Sequence, residues 1–265
     1  MLKTEMRNEK TMHVDKMTTV DMVKIMNEEN MNAVRAVEKC SNEIAMAIDL
    51  ISDAFAKGGR LFYVGAGTSG RLGIMDAAEC PPTFGVDYNK VIGIIAGGEK
   101  AMTKAQENVE DDGKAGAKAL ESNNLSSCDV VVGISAAGGA KYVINALQFA
   151  KSIGCGTICI TSNEDTGVTK VADISIITDT GAEVITGSTR LKAGTAQKLV
   201  LNMLSTFSMV KSGYVYENLM INLRPTNIKL RKRMIGIVCS IKGVNEEVAQ
   251  KLLDENDWNI RNAVQ

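Results

Sequence analysis

Residues 65–70, GAGTSG, combine three glycines with the adjacent hydroxyls of Thr68 and Ser69. The segment follows an apolar run and opens a helical stretch, so its backbone N–H groups can hold a phosphate at a helix N-terminus. The two hydroxyls add side-chain donors, which favours a terminal phosphate monoester such as a sugar phosphate. We therefore predict that Gly67, Thr68 and Ser69 contact phosphate.

Two other interpretations of this segment stay open. Its G-x-G-x-x-G spacing is also the fingerprint of a dinucleotide site, but that site needs an acidic residue about twenty positions further on, at the end of the next strand. The next apolar run ends in residues 96–98, AGG, with no acidic residue before Glu99. The third interpretation is a turn in which glycine is needed only for its positive φ.

Two glutamates are candidates for acid–base chemistry. Glu79 is expected just past the helix that the glycine-rich segment opens, where Pro81 and Pro82 are expected to end that helix. Glu110 is expected on a helix after the second strand. Both should then emerge near the same edge of the sheet, where two carboxylates in different environments can divide acid and base work. The alternative is that both are ordinary solvated glutamates.

A third polar segment, residues 186–198 (TGSTRLKAGTAQK), places hydroxyls and cations at the start of a long predicted helix. Its candidate ligands are Ser188, Thr189, Arg190 and Lys192. Anions are stabilised near the N-terminus of a helix, so the segment could form part of an anion site. It could equally be a capping segment with an exposed basic turn.

The elements that position these residues follow from the hydrophobic periodicity. Five short apolar runs predict strands, at residues 61–64, 91–95, 129–134, 156–161 and 173–177. Helical stretches lie between or beside them, at residues 101–121, 141–152 and 166–171. Apolar strands that alternate with helices predict a doubly wound α/β fold, a parallel sheet with helices on both faces. Ligands of such sheets bind beyond the carboxyl ends of the strands, which adds the loop from Ser135 to the candidates.

The remaining segments are expected to be helical. A helix begins near Thr18, a longer one has an apolar face through residues 34–55, and another runs over residues 191–210. The predicted organisation is a helical N-terminal arm (1–57), the α/β domain (58–213), a helical extension (214–243) and a partial small helical C-terminal domain (244–265).

Composition excludes several classes of protein. The 265 residues are 45% hydrophobic and 23% charged with a net charge of −1, which is unlike a basic nucleic-acid binder. We expect neither a signal peptide nor a membrane span, since no apolar run reaches ~18 residues. Six scattered cysteines are expected to be reduced, which indicates the cytoplasm. The single histidine, His13, disfavours a metal site and a Ser-His-Asp triad.

Six blocks of the chain resemble those of a known protein family. They are residues 64–73 (VGAGTSGRLG), 79–85 (ECPPTFG), 94–98 (IIAGG), 109–111 (VED), 191–198 (LKAGTAQK) and 218–220 (NLM). In these blocks, and from residue 5 nearly to the C-terminus, the chain resembles the N-acetylmuramic acid 6-phosphate etherase family, which has the sugar isomerase (SIS) fold.

The resemblance implies a cytoplasmic lyase of cell-wall recycling that forms a homodimer, has sites near the subunit interface and needs no metal or organic cofactor. Its substrate would be an amino-sugar phosphate, N-acetylmuramic acid 6-phosphate, whose D-lactyl ether is cleaved to give N-acetylglucosamine 6-phosphate and D-lactate. The implied chemistry is elimination on the open-chain sugar, followed by addition of water. Position by position, Glu79 falls on the family's acid, which protonates the departing lactate. Glu110 falls on its base, which removes the proton next to the aldehyde.

One block departs from the family pattern. Residues 136–142 read AAGGAKY, where the family usually reads ASGRTPY. This loop helps to hold phosphate in SIS folds, and here it lacks two hydroxyls, an arginine and a proline. Ser135 keeps one hydroxyl, and Lys141 adds a cation. The departure predicts weaker substrate binding and favours a second interpretation, a non-catalytic sugar-phosphate sensor like the glucokinase regulatory protein.

Overall fold

The computed structural model of the protein describes residues 1–264 and contains one five-stranded sheet in which all neighbouring strands are parallel. The strand order is β2-β1-β3-β4-β5. The strands are β1 (Leu61–Gly65), β2 (Val91–Ile95), β3 (Val130–Ile134), β4 (Gly156–Thr161) and β5 (Ile174–Ile177). The doubly wound α/β fold is confirmed, and each predicted strand ends within one residue of its observed limits.

Helices surround the sheet and also precede and follow it along the chain. They are α1 (Thr19–Glu38), α2 (Ser41–Ala56), α3 (Gly67–Phe84), α4 (Lys100–Thr103), α5 (Gly113–Ser122), α6 (Lys141–Ile153), α7 (Lys192–Lys211), α8 (Ile228–Lys242), α9 (Glu246–Glu255) and α10 (Ile260–Ala263). Short 3₁₀ turns occur at Lys3–Glu5, Glu9–Thr11, Val14–Lys16 and Val109–Asp111. Within residues 1–264, no helix combines the length and the apolar character that crossing a bilayer requires.

Two faces of the sheet carry separate cores. On one face, α2, α3 and α7 pack against the strands, and α1 lies on α7. On the other face, α5 and α6 cover side chains such as Phe62 and Val131. A third apolar cluster joins α8, α9 and α10 with Ile221 and Leu223. The strands are buried on both faces, which is why their sequences are continuously apolar.

The structure breaks two helices that the hydrophobic periodicity predicts as continuous. The apolar face through residues 34–55 is divided between α1 and α2, because the Ser41 hydroxyl donates to the Glu38 carbonyl (2.6 Å) where the chain bends. The stretch 101–121 contains only α4, a 3₁₀ turn and α5. Asp112 starts α5 by accepting the Ala115 N–H (3.0 Å).

A third expected helix is absent. Residues 166–171 form turns, in which the Thr169 hydroxyl accepts the Thr166 N–H (3.0 Å) and donates to the Thr166 carbonyl (2.9 Å). Side-chain hydrogen bonds of this kind offer the backbone an alternative to helix. The apolar Val168 in this segment is explained by packing and not by a helix, because its side chain is buried with those of α6 in the second core.

The sheet has its topological switch point between β1 and β3. The chain moves from β1 outward to β2, then returns to β3 on the other side of β1. Ligands of open α/β sheets bind at this point, in the crevice outside the carboxyl ends of the strands. The loops that follow β1 and β3 therefore define where a site is expected.

Candidate functional site

A cavity of about 320 Å³ lies at the switch point. Its walls are the loop after β1, the loop after β3, the 3₁₀ turn that carries Glu110, and Thr189. The lining residues are Ala66, Gly67, Thr68, Ser69, Glu110, Asp111, Ile134, Ser135, Ala136, Ala137, Gly139, Ala140 and Thr189. The structure thus brings six of the predicted site residues together: Gly67, Thr68, Ser69, Glu110, Ser135 and Thr189.

Two helices begin at this cavity without a side-chain cap. The N-cap residues Ala66 of α3 and Ala140 of α6 carry no group that can accept from the first-turn N–H groups, and both line the cavity. Uncapped first-turn N–H groups are unsatisfied donors, and they stand at the positive end of each helix dipole. An anion in the cavity would satisfy both helix ends.

Glycines let the first strand and its helix approach closely. A Cβ at Gly65 would lie 2.6 Å from the Gly70 backbone nitrogen, and a Cβ at Gly70 would lie 2.7 Å from the Gly65 carbonyl oxygen. Both distances are too short for any side chain. Gly65 and Gly70 therefore allow the two backbone segments to pack closely at the base of the loop. Gly67, with φ +54, adopts the left-handed conformation that other residues rarely take.

The hydroxyls of Thr68, Ser69 and Ser135 differ in what they can offer a ligand. The Thr68 side chain is half-buried at the cavity wall, and Ser69 is buried and donates its proton to Gln197 Oε1 (3.0 Å). The Ser135 Oγ accepts the Gly138 N–H (3.2 Å), so its own proton remains available. Gln197 lies in the polar segment 186–198, but its contact with Ser69 could not be foreseen from the sequence.

The loop after β3 is held from outside the cavity. The Ala136 carbonyl accepts from the Ser162 N–H (2.9 Å), the Thr161 hydroxyl (3.2 Å) and the Asn163 side-chain amide (3.1 Å). Gly138 has φ +78, and a Cβ there would lie 2.3 Å from Thr166 Oγ1. Lys141 is exposed and is not part of the cavity wall, so the structure does not place its cation where the missing arginine would act.

The two glutamates do not meet within one copy of the chain. Glu110 lines the cavity on the turn Val109–Asp111, whereas Glu79 is exposed on α3. Between Gly67 and Glu79 that helix rises roughly 18 Å, away from the carboxyl edge of the sheet. The expectation that both carboxylates emerge at the same edge is therefore wrong for a single copy.

The prolines after Glu79 lie inside the helix and do not end it. A proline removes only its own N–H, and Pro81 and Pro82 sit in the last turn of α3. The helix ends at Phe84, where Gly85 takes the left-handed conformation (φ +68) and donates its N–H to the Pro81 carbonyl (2.9 Å). Glu79 consequently has a fixed helical position.

The anion site expected at the start of α7 is occupied by the protein itself. The buried Glu183 carboxylate accepts the backbone N–H groups of Lys192 and Ala193, both at 3.0 Å. The Lys192 ammonium is buried against Glu29 and also lies outside the cavity. Ser188 and Arg190 are absent from the cavity wall among the residues described, so Thr189 alone represents this segment there.

A buried polar network fixes α3 against α7 beside Glu79. Asp76 accepts the Tyr63 hydroxyl (3.1 Å) and pairs with the Lys198 ammonium (3.0 Å). Burial, followed by the nearby Asp76 carboxylate, raises the pKa of the Cys80 thiol to about 12. Cys80 therefore stays a neutral thiol at physiological pH.

Comparison with known proteins decides the family. The family model of the glucokinase regulatory protein N-terminal SIS domain matches residues 43–151. The family model of the SIS domain matches residues 101–206. An N-acetylmuramic acid 6-phosphate etherase from Clostridium beijerinckii is 51% identical over 263 residues, which cover 99% of this chain and 86% of the relative. The chain belongs to the N-acetylmuramic acid 6-phosphate etherase family. Another member, from Caldanaerobacter subterraneus subsp. tengcongensis, is 51% identical over 98% of this chain and 85% of the relative.

The etherase family membership agrees with the fold. A phosphoheptose isomerase from Neisseria gonorrhoeae superposes with a TM-score of 0.55 at 18% identity, over 71% of this chain and 97% of that chain. Identity this low shows the SIS fold alone. The resemblance to the etherase family that the sequence blocks carry is thus confirmed, as is the SIS fold.

Proposed function

We propose that the protein is an N-acetylmuramic acid 6-phosphate etherase, which converts N-acetylmuramic acid 6-phosphate and water to N-acetylglucosamine 6-phosphate and D-lactate. The observation that carries the proposal is the cavity at the switch point, where two uncapped helix N-termini and a carboxylate face the same space. We infer the identity of the substrate from the relatives named as etherases, which are 51% identical over nearly the whole chain. The six cysteines are free thiols, which supports a reducing compartment such as the cytoplasm.

The sugar's phosphate would bind between the starts of α3 and α6. The first-turn N–H groups, the Thr68 hydroxyl and the Ser135 hydroxyl supply donors there. Ser69 and Thr189 complete the polar wall. Phosphate at a helix N-terminus gains from both the free N–H groups and the dipole, so the arrangement favours a phosphorylated sugar over its unphosphorylated form.

Glu110 would act as the base, because its turn lines the cavity in which the sugar would lie. In the open-chain sugar its carboxylate would take the proton from C2, next to the aldehyde. The electron pair forms the C2–C3 double bond, and the C3–O bond to lactate breaks while an acid protonates the departing oxygen. Water then adds across the double bond, its hydroxyl going to C3 and a proton to C2, which gives N-acetylglucosamine 6-phosphate.

The acid, Glu79, would come from a second copy of the chain. α1 exposes Val20, Val23, Met31 and Val34 at helical spacing, and α3 exposes Met75 one turn before Glu79. Both helices pack on α7. A twofold dimer formed through these exposed apolar side chains would carry each Glu79 away from its own cavity and toward that of its partner.

A second function is a sugar-phosphate sensor without catalysis. It is favoured by Ala137, Gly139 and Ala140, which line the cavity with no polar side-chain group where the family pattern has two hydroxyls and an arginine. A sensor of this kind would bind N-acetylglucosamine 6-phosphate at the same helix N-termini. It would not release lactate.

One assay separates the two functions. The protein is incubated with N-acetylmuramic acid 6-phosphate, and D-lactate is measured with a lactate dehydrogenase. Etherase activity predicts one D-lactate for each N-acetylglucosamine 6-phosphate formed, with no release from unphosphorylated N-acetylmuramic acid. Tight binding of both sugar phosphates by calorimetry without lactate release would establish the sensor instead.

A further inference from the structure

A second cavity, of about 210 Å³, adjoins the phosphate cavity. The two cavities share Ala66, Gly67 and Glu110 as walls. Glu110 therefore stands at the boundary between them. A molecule whose phosphate occupies the first cavity and whose reacting carbon faces Glu110 can extend into the second.

The walls of the second cavity combine small apolar side chains with polar ones, of which one is a cation. Ala96 and Ala101 are buried alanines, and Ala105 and Val109 add further aliphatic surface. The cation is Arg71, which is half-buried on the first turns of α3. The remaining polar wall residues, Gln106, Glu107 and Asn108, belong to the exposed segment that precedes Glu110.

The Arg71 guanidinium is oriented but not neutralised. Its Nε donates to the Met102 carbonyl (3.1 Å), and within residues 1–264 it forms no ion pair. Both Nη groups are therefore left for a ligand. A guanidinium held in this way can bind a carboxylate with two parallel hydrogen bonds, which a lysine ammonium cannot do.

We propose that this second cavity binds the D-lactyl group, with the carboxylate on Arg71 and the methyl against the buried alanines. The inference rests on the proposed function, because it takes the substrate from there. A D-lactyl ether carries one carboxylate and one methyl on the same carbon, which matches a small cavity that offers one guanidinium and a wall of buried alanines. Its attachment at C3 is next to C2, so a lactyl group in this cavity leaves C2 facing Glu110.

The assignment also explains how substrate is distinguished from product. N-acetylglucosamine 6-phosphate has the same phosphate and sugar but no lactyl group, so Arg71 would contribute to binding of the substrate only.

The test compares two ligands on three variants, Arg71→Met, Arg71→Lys and the control Arg233→Met. Arg233 is exposed on α8 and lies outside both cavities. Arg71→Met should raise the KM for N-acetylmuramic acid 6-phosphate about tenfold to a hundredfold, as loss of a charge-assisted hydrogen bond predicts. The dissociation constant of N-acetylglucosamine 6-phosphate, measured by calorimetry, should stay within about twofold. Arg71→Lys should fall between wild type and Arg71→Met.

Three other outcomes would overturn the proposal. Equal weakening of both ligands would mean that the cavity holds a part of the sugar common to both, such as the acetamido group. No change in either ligand, with unchanged thermal stability, would make Arg71 structural only. Weakening of N-acetylglucosamine 6-phosphate alone would exclude a lactyl site.

Failure of the proposed function would look different. If wild-type protein releases no lactate, calorimetry still measures the dissociation constants of both sugar phosphates. A lactyl site then requires that Arg71→Met weaken N-acetylmuramic acid 6-phosphate selectively. If wild type and Arg71→Met bind N-acetylmuramic acid 6-phosphate equally well, the lactyl site is contradicted, and this conclusion does not depend on turnover. If Arg71→Met does not fold, the same comparison is made with Arg71→Lys, which keeps the charge and loses the paired donors.

Discussion

The ammonium of Lys192 lies 2.5 Å from Glu29 Oε2, and the side chains are 1% and 3% exposed. The pair joins α1 to the start of α7 across 163 residues of sequence. Lys10 approaches the other oxygen of Glu29 at 3.2 Å, and Asn8 donates to Oε2 at 2.7 Å. The N-terminal arm is thus bound to the start of α7, close in sequence to Thr189 at the cavity wall.

Removing the carboxylate should destabilise the protein. Glu29→Gln leaves Lys192 buried without its charge partner, and breaking a buried ion pair by removing one partner costs about 3–5 kcal/mol. The free energy of unfolding from urea titration, monitored at Trp258, measures the effect. Glu28→Gln is the matched control, since Glu28 is exposed on the same helix and should change stability by less than about 0.5 kcal/mol. Equal stabilities of the two variants would show that the pair contributes nothing net.

The contribution of Glu29 should also depend on pH. Burial alone would raise the pKa of Glu29, but the hydrogen bonds from Lys192 and Asn8 outweigh it and hold the pKa below the ordinary value of 4.5. The stabilisation is therefore present above pH 4.5 and is lost as pH falls through the pKa of the folded state. The stability difference between wild type and Glu29→Gln should shrink on acidification below that pH. A stability difference that grows below pH 4.5 would mean that the pKa of Glu29 is raised by folding and not lowered.

The phosphate site can be tested through its hydroxyls. Thr68→Val or Ser135→Ala removes one donor to a charged group, which should weaken binding of N-acetylglucosamine 6-phosphate by about 1.5–3 kcal/mol. Ser69→Ala should also weaken it, but less than Thr68→Val, since the Ser69 proton is donated to Gln197. Calorimetry measures each change, and binding of unphosphorylated N-acetylglucosamine is the control. Tight binding of NAD together with no binding of sugar phosphates would restore the dinucleotide interpretation.

The loop after β3 should accept the family's residues. A Cβ at Gly139 would meet nothing within 4 Å beyond its chain neighbours, and the residue has no positive φ, so the backbone there can carry a side chain. Positions 137 and 140 line the same cavity. The triple variant Ala137→Ser, Gly139→Arg and Ala140→Thr should lower KM more than it changes kcat, because phosphate binding is shared by ground and transition states. Lys141→Pro is the control, because it restores a residue of the family pattern that lies outside the cavity. Lys141 is the first residue of α6, a position that suits proline, and the variant should leave KM unchanged. A KM that is unchanged or raised in the triple variant would mean that the loop does not contact phosphate.

Cysteine reactivity should follow burial. The pKa of the Cys80 thiol is raised to about 12, mainly by burial, so almost no thiolate exists at neutral pH. Iodoacetamide should modify the exposed Cys128 quickly and leave Cys80 unmodified in the folded protein. Peptide mapping by mass spectrometry distinguishes the two sites. Rapid labelling of Cys80 in native protein would contradict the packing around Asp76.

The strands and the position of the glycine-rich loop could be predicted from the sequence because their signals are local. A strand buried on both faces must be apolar throughout, and the loop at 65–70 needs its glycines within six positions. The positions of Glu79 and Lys192 could not be predicted in this way. Prolines in the last turn of a helix do not mark its end, and a lysine beside helix-capping residues gives no sign that its partner is Glu29. Gln197 was also missed, since its role depends on a contact with Ser69 across 128 positions.

The roles of the two glutamates are tested first by single substitutions. Glu79→Gln or Glu110→Gln should lower the turnover of N-acetylmuramic acid 6-phosphate by about 10²- to 10⁴-fold, the usual contribution of a positioned proton-transfer group. Binding of N-acetylglucosamine 6-phosphate should persist, since the helix N-termini remain. Near-normal turnover in both variants would remove them from the mechanism.

Mixing these two variants tests the central claim, an etherase site completed by Glu79 of a second copy. Each variant alone has Gln at one position of both sites, whereas a mixed dimer has one site with both glutamates and one with neither. Co-refolded or co-expressed at equal amounts, the variants should regain about a quarter of wild-type D-lactate release, because half of the dimers are mixed and each has one intact site. Release that stays at the level of the separate variants, in a sample shown to contain mixed dimers, would contradict a site shared between two copies.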